Sequence, residues 1–220
     1  MSEVLGIVRR GLHEEVAVRL RAMLVEGRIA PGGKLNEREL CEMLKVSRTP
    51  LREAIKLVAA EGLVDLLPNR GAIAVKLTES DVLHAFEVLA QLEGLSGELA
   101  AQRITTAELA EIKAMHYEML ACFARKDLPG YYQRNAEIHA AINAAAKNPV
   151  LTKLYREVNA RVQSLRFRTN QNQAKWKSAV KEHEQMLAAL EAHDGARLRA
   201  VLVEHLLRKR DAVLEFLRTG

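Results

Sequence analysis

Apolar side chains at Val16, Leu20, Met23 and Leu24 recur at the three-to-four spacing of one helix face, which predicts a helix over about Glu14 to Glu26. Pro31-Gly32-Gly33 punctuates the chain after it. Glu37 to Leu44 predicts a second helix. A short turn at Lys45-Val46-Ser47 leads to a third, from about Arg48 to Glu61. The pattern then shortens. Leu63 to Leu67 and Ala72 to Lys76 are brief apolar runs on either side of Pro68-Asn69-Arg70-Gly71, which predicts a β-hairpin. Beyond Leu77 the period is helical to the end. Thr78-Glu79-Ser80-Asp81 and Thr105-Thr106-Ala107-Glu108 read as capping boxes. Pro129 fits an early helical position with Asp127 near the cap. Six helices are expected, over roughly 79–102, 106–126, 128–146, 149–171, 173–193 and 195–218. Their connections, at Asn148-Pro149 and His193-Asp194-Gly195 among others, are short, so sequential helices should be antiparallel neighbours in a bundle.

Composition narrows this picture. A chain of 220 residues has room for two ordinary domains. Aromatic residues are only 4% against 49% hydrophobic overall, so the cores must be built from aliphatic side chains, which suits helices. The net charge of +5 suits a polyanionic partner. Residues 28 to 76 hold Arg28, Lys34, Arg38, Lys45, Arg48, Arg52, Lys56, Arg70 and Lys76. Cys41 and Cys122 each fall inside an expected helix and form no CxxC pair. They read as small buried hydrophobes in a reducing compartment, not as a disulfide scaffold or a cysteine zinc site. Met1 to Arg10 holds no long apolar run, and nowhere does the chain approach about 18 consecutive apolar residues. No leader and no membrane span are expected, and the cytoplasm is the expected location.

The basic N-terminal segment has an internal logic. Leu40, Leu44 and Val46 give the second helix and its turn an apolar inner side, and Leu51, Ala54, Ile55 and Val58 do the same for the third helix. Ser47 is suited to the N-cap, and Pro50 is tolerated in the first turn, where its missing N–H is no loss. What remains outside is Arg48, Thr49 and Arg52, with Arg38 on the preceding helix. A helix N-terminus favours phosphate, arginine reads guanine edges or phosphate, and threonine meets a phosphate or a thymine methyl. Asn69-Arg70-Gly71 at the hairpin tip supplies a tight turn, a charge and a close approach to a sugar-phosphate backbone. Any one of these arginines alone is better read as solvated surface; the joint arrangement predicts a winged helix-turn-helix that binds DNA. The fold class is therefore mainly α, with a winged helix-turn-helix over 1–77 followed by an antiparallel all-α bundle over 78–220.

Pro31-Gly32-Gly33-Lys34-Leu35, Glu37-Arg38-Glu39-Leu40, Val46-Ser47-Arg48-Thr49-Pro50-Leu51-Arg52-Glu53-Ala54, Glu61-Gly62-Leu63 and Asn69-Arg70-Gly71 together resemble the GntR family of bacterial regulators. The resemblance implies a homodimer on a short inverted repeat of double-stranded DNA. It also implies that Arg38, Arg48, Thr49, Arg52 and Gly71 occupy DNA-contact positions.

The second half carries six of the seven histidines. His139 follows Asn135 by one helical turn, and His183 and His205 lie on the last two helices. In an antiparallel bundle these can converge. Three imidazoles and one oxygen would suit a borderline divalent metal: Zn²⁺, with Ni²⁺ or Mn²⁺ as the alternatives. The rival reading is a metal-free polar pocket lined by the same histidines. His84, His116 and His193 read as ordinary surface or satisfied core residues. His183-Glu184 does not begin an HExxH motif, because Leu187 stands where the second histidine would be.

The segment from about Ser80 to Arg218 is similar to the FCD effector-binding domain of the FadR subfamily, and its helix count resembles the VanR-type branch. Leu92-Glu93, Leu99-Ala100-Ala101, Asn135 with His139, Asn148-Pro149, Glu182-His183 and Glu204-His205-Leu206 carry that likeness. It implies a metal on Asn135, His139, His183 and His205 that helps to hold a small carboxylate effector. Two departures stand out. Asn135 occupies a position usually held by Asp, and Leu89 one where many members place an effector-binding Arg. Arg161, Arg166 and Arg168 on a neighbouring helix are the candidates to replace that charge, Arg161 and Arg166 above all. The expected function is a sequence-specific transcriptional regulator, a repressor by preference, and not an enzyme. Its rivals are a metal-dependent enzyme built on the histidine cluster and a DNA-binding protein without sequence preference.

Overall fold

A computed structural model describes residues 11–68, 70–169 and 173–219. The chain divides into two compact units, the first running up to Lys76 and the second from Leu77 onward. The order of elements in the first is α1 (Leu12–Val25), α2 (Glu37–Leu44), α3 (Arg48–Ala60), β1 (Val64–Leu67) and β2 (Gly71–Ala74). One apolar cluster holds them together. Val16, Leu20 and Leu24 of α1, Leu40 of α2, and Leu51, Ile55 and Val58 of α3 meet under Val64, Ala72 and Ala74 of the hairpin.

The turn between α2 and α3 is set locally. Asn36 caps α2 by accepting from the backbone of Arg38 and Glu39, and Lys45 ends it in the left-handed region at φ 54°. Ser47 stands at the N-cap of α3, as its sequence position suggests, but its hydroxyl makes no capping hydrogen bond. That oxygen is therefore exposed and uncommitted to the helix. β1 and β2 pair antiparallel from Val64↔Ala74 to Leu67↔Gly71. The segment before α2 extends this sheet, which the hydrophobic pattern did not reveal. Lys34 bridges Ile73, the Leu35 N–H donates to the Ala72 carbonyl, and the Ala74 N–H donates to the Gly33 carbonyl.

Among the described residues the second unit has six helices: α4 (Glu79–Arg103), α5 (Thr106–Arg125), α6 (Leu128–Ala145), α7 (Pro149–Arg168), α8 (Gln173–Glu191) and α9 (Gly195–Thr219). Their starts follow from local chemistry. Thr78 with Asp81 and Thr105 with Glu108 form complete capping boxes, and Asp127 and Asn148 cap α6 and α7 with Pro129 and Pro149 in the first turns. α4 and α9 cross closely because α4 offers glycine at the contact. A Cβ on Gly97 would lie 2.4 Å from Leu202 Cδ1, and one on Gly94 2.7 Å from Val203 Cγ2.

Two apolar clusters fill this bundle. One contains Phe86 and Leu89 of α4, Tyr155 and Val162 of α7, and Leu206 and Val213 of α9. The other contains Ala100 of α4, Met119 of α5, Ile142 of α6, Leu190 of α8 and Leu198 of α9. α4 and α9 run through both. Where they pass from one to the other, their inward faces carry Glu93 and His205, each buried. The candidate site is at this seam.

Candidate functional sites

In the first unit, burying Leu51, Ala54, Ile55 and Val58 turns Ser47, Arg48, Thr49 and Arg52 outward, and all four are exposed. Arg52 Nε donates to the Glu37 carboxylate at 3.0 and 3.1 Å. Exposed pairs of this kind contribute about 0–1 kcal/mol, so a phosphate or a base edge can displace Glu37. Arg38 is exposed on α2, and Arg70 and Gly71 are exposed at the hairpin turn. Gly71 sits at φ +86°, which L side chains rarely adopt, and the nearest atom to a Cβ there would be Lys34 Cε at 3.9 Å. Conformation, not crowding, calls for glycine at that turn. Asn69 lies outside the described residues.

In the second unit, three helices deliver one histidine each to a single point. His139 comes from α6, His183 from α8 and His205 from α9. All are buried, His183 with 1% of its surface exposed. Their ring centroids are 5.2, 5.2 and 5.5 Å apart, and one ring nitrogen from each lies within 4.8 Å of the others. Asn135, one turn before His139 on α6, brings its Oδ1 to 2.9 Å from His183 Nε2. His139 Nε2 is buried and finds no hydrogen-bond partner among the described residues.

Two carboxylates stand behind the rings. Glu93 Oε2 of α4 lies 2.7 Å from His139 Nδ1, close enough for an ion pair but off the line of a hydrogen bond. Glu182 Oε2 of α8 is 2.5 Å from His205 Nδ1. Each carboxylate also faces an arginine. Arg166 Nη1 is 3.6 Å from Glu93 Oε1 and donates to Asn159 Oδ1 at 2.6 Å, while Arg208 Nη1 pairs with Glu182 Oε1. Burial pushes the Glu93 carboxyl up, but the His139 ring and Arg166 outweigh it and hold it below the ordinary value. Glu182 is likewise pushed up by its surroundings and brought below the ordinary value by His205 and Arg208. Burial drives His183 well below the ordinary histidine value, with the neighbouring imidazoles acting the same way. It takes His205 down to about 4, although the Glu182 hydrogen bond pulls the other way. The cluster therefore holds neutral His183 and His205 rings beside ionised carboxylates, the protonation state in which imidazole nitrogens can ligate a metal.

A cavity of about 370 Å³ adjoins this cluster. Asn135, Arg166 and His205 reach it from the seam, Tyr131, Tyr132, Ala179 and Ala212 give it apolar walls, and exposed Arg208 and Asp211 stand at its edge. Of the arginines proposed from sequence to meet an effector, Arg166 lines this cavity. Arg161 does not: it is exposed, in a separate groove between α4 and α7 beside Asp81 and His84. Arg168 stacks its guanidinium 4.7 Å from the centre of the Phe216 ring. His84 is exposed, and His193 Nδ1 is 2.8 Å from the Ala101 carbonyl oxygen, both as ordinary residues. His116 departs from that reading. It is buried on α5 with no hydrogen-bond partner for Nδ1 among the described residues, and burial lowers its pKa. Glu93, Glu182 and Arg208 were not singled out as site residues by sequence reasoning. The available signal was phase: Glu93 falls on the stripe Phe86, Leu89, Ala90, Gly97, Ala100, and a carboxylate on a buried stripe needs a buried partner.

Comparison with known proteins agrees with both halves of this description. The family model for bacterial regulatory proteins of the gntR family matches residues 12–73, and the FCD domain model matches residues 84–208. The chain is 23% identical over 195 residues to the HTH-type transcriptional repressor RspR of Escherichia coli K12, covering 89% of this chain and 86% of that protein. It is 29% identical over 205 residues to the Nta operon transcriptional regulator of Aminobacter aminovorans, covering 89% and 91%. Among solved structures, E. coli McbR/YncC superimposes with a TM-score of 0.86 at 21% identity, over 95% of this chain and all of that one.

Proposed function

Because this chain belongs to the GntR family of bacterial regulators and carries an FCD domain, we propose that it is an operator-binding repressor released by a small organic acid held at a metal centre in α4–α9. The observation that carries the reading is the convergence of three buried imidazoles and the Asn135 amide oxygen beside a cavity that Arg166 also lines. The donor set fits a divalent ion. His139 Nε2 is a buried nitrogen without a partner among the described residues, and the 2.9 Å between Asn135 Oδ1 and His183 Nε2 lies near the roughly 3.0–3.4 Å between neighbouring ligands about 2.1 Å from one octahedral or tetrahedral ion. Zn²⁺ is the first candidate, with Ni²⁺ and Mn²⁺ next. When bound, the ion would supply positive charge for an acid's carboxylate. Arg166 then adds a second charge, and the apolar walls accept the body of the ligand.

The DNA-binding half ends near residue 77 in this reading. Arg48, Thr49 and Arg52, with Ser47 at the start of the same helix, enter the major groove. Arg38 meets the backbone, and Asn69, Arg70 and Gly71 form the wing. Two chains form a homodimer on an inverted repeat, and the acid acts by preferring one arrangement of the paired DNA-binding units over the other. No helix among the described residues is long and apolar enough to cross a membrane; the cytoplasm is the proposed location. The test joins operator selection from random duplexes with native mass spectrometry of the protein. A selected inverted repeat, a dimer with one metal per chain, and release of the duplex by added acids are the expected results. Equal binding to all duplexes would overturn the regulator reading, and turnover of an acid by the second unit would favour an enzyme.

A further inference from the structure

We propose that Glu93 and Glu182 are positioning residues of the metal centre: each fixes one histidine through Nδ1 and supplies negative charge that Asn135 lacks. The inference rests on the metal reading above. The two carboxylates make the same arrangement from different helices. One oxygen of each faces a histidine Nδ1, at 2.7 Å from His139 and 2.5 Å from His205, and the other faces an arginine, Arg166 or Arg208. Glu182 takes up Nδ1 of His205 in a hydrogen bond, and Glu93 stands at ion-pair distance from Nδ1 of His139, off the hydrogen-bond line, so in both rings Nε2 is the nitrogen that faces no carboxylate and is left as the ligating atom. Both ring nitrogens of His139 are buried without a hydrogen-bond partner among the described residues, and Nε2 is the one with no carboxylate beside it. His183 already presents Nε2 to Asn135 Oδ1. The donor set becomes three Nε2 atoms and one amide oxygen.

The charges decide what this achieves. An aspartate at position 135 would place one negative charge directly on the ion, and an amide places none. A carboxylate accepting from the far side of a ligating imidazole makes that ring more basic and locks its tautomer, and loss of such a partner typically costs about 10–100-fold in metal affinity. Glu93 is 3% exposed and its two oxygens have no hydrogen-bond partner among the described residues, so Arg166, 3.6 Å away, is the standing cation that faces it beside the His139 ring. Two such carboxylates surround a donor set that is itself neutral.

The test uses the full-length protein, Zn²⁺ competition against a chromophoric chelator, and the visible absorption of Co²⁺. Glu93→Gln and Glu182→Gln each keep an amide oxygen in place but remove the charge. The expected result is a 10- to 100-fold loss of Zn²⁺ affinity in each, with a shifted Co²⁺ band. Asn135→Asp should raise affinity by a larger factor in Glu182→Gln than in the parent, a non-additivity that a merely structural role for Glu182 would not give. If Glu93→Gln fails to fold, Glu182→Gln and its Asn135→Asp partner decide. Zn²⁺ affinity within about twofold of the parent in the variants would overturn the inference and leave the metal reading standing. A parent protein that takes up none of Zn²⁺, Co²⁺ or Ni²⁺ would overturn both.

Discussion

Acidifying the protein in the presence of chelator from pH 7 to pH 5 should destabilise its second unit by about 2 kcal/mol through His205 alone. His205 is held at about 4 in the folded protein against an ordinary value of 6.5. The unfolded chain therefore binds a proton at a pH where the folded chain does not, and stability falls as pH drops through the interval between those two values. At pH 7 the unfolded ring is mostly neutral and the penalty is small. At pH 5 the unfolded ring is charged and the folded ring is about nine-tenths neutral, so nearly 1.5 of the 2.5 units separating the two values count, each about 1.4 kcal/mol. His183 and His116 are also lowered, and they add in the same direction. Glu93 and Glu182 contribute stability that is lost only below the ordinary carboxylate value of 4.5, outside this window. The slope between pH 7 and 5 therefore belongs to the imidazoles.

The assay is urea denaturation with chelator present at pH 7, 6 and 5, followed by the fluorescence of Trp176, the single tryptophan and a residue of α8. His205→Gln should reduce the pH dependence by about 2 kcal/mol over the same range. Stability that is level from pH 7 to 5, or that rises, would refute the claim that the neutral rings are enforced by burial. A slope unchanged in His205→Gln would refute the assignment to His205.

Arg48→Ala and Arg52→Ala should each weaken binding to a selected operator by about 1–3 kcal/mol, with the thermal midpoint unchanged; fluorescence anisotropy with labelled duplex measures it, and wild-type affinity in both would remove α3 from the interface. Asn135→Asp should raise Zn²⁺ affinity by roughly tenfold or more, because a full charge replaces a dipole beside the ion; chelator competition reads the change, and a weaker site would mean that the amide is an active preference of this chain. Gly97→Ala should cost about 1–3 kcal/mol by forcing α4 from α9, since its new methyl would meet Leu202 Cδ1 at 2.4 Å; a thermal midpoint at or above the parent's would show that the crossing relaxes without loss.

The helices were legible because their signals are local. Thr78, Thr105, Asp127 and Asn148 name their own helix starts through side chains that bond three residues on, and the six helices of the second unit follow the sequence boundaries within three residues at each end. Pairing across distance was not legible. Gly33 to Leu35 reads as loop, yet it supplies a third edge to the hairpin because its partners, Ala72 to Ala74, are almost forty residues away. The histidines could be nominated from residue type and spacing, and the structure gathers all three. Arg161 and Arg166 could not be told apart. Five residues on one helix turn them about 140° apart, so burial of Val162 and Leu165 carries Arg166 inward and leaves Arg161 outside. Only the neighbours of α7 determine which arc is inward.

The placement of Leu89 explains why positive charge must enter this site from elsewhere. Leu89 is fully buried with Phe86, Ala90, Tyr155 and Val162, so this turn of α4 belongs to the apolar cluster and has no route to the cavity. An arginine there would have to displace that packing. Four residues on, α4 reaches the seam with Glu93, whose charge has the wrong sign for an acid. The cations that line the cavity accordingly come from α7 and α9, as Arg166, Arg208 and Lys209; each arginine is matched by a glutamate that also faces a histidine, and Asp211 and Glu215 line the same cavity as Lys209. The arginine–glutamate pairs leave little net charge to attract an anion. On this arithmetic a divalent ion on three neutral rings and an amide is the main source of uncompensated positive charge, so acid affinity should depend on metal more strongly here than in a chain with aspartate at 135 and arginine at 89. Metal and acid would then act as one coupled ligand, and by linkage each should raise the affinity of the other.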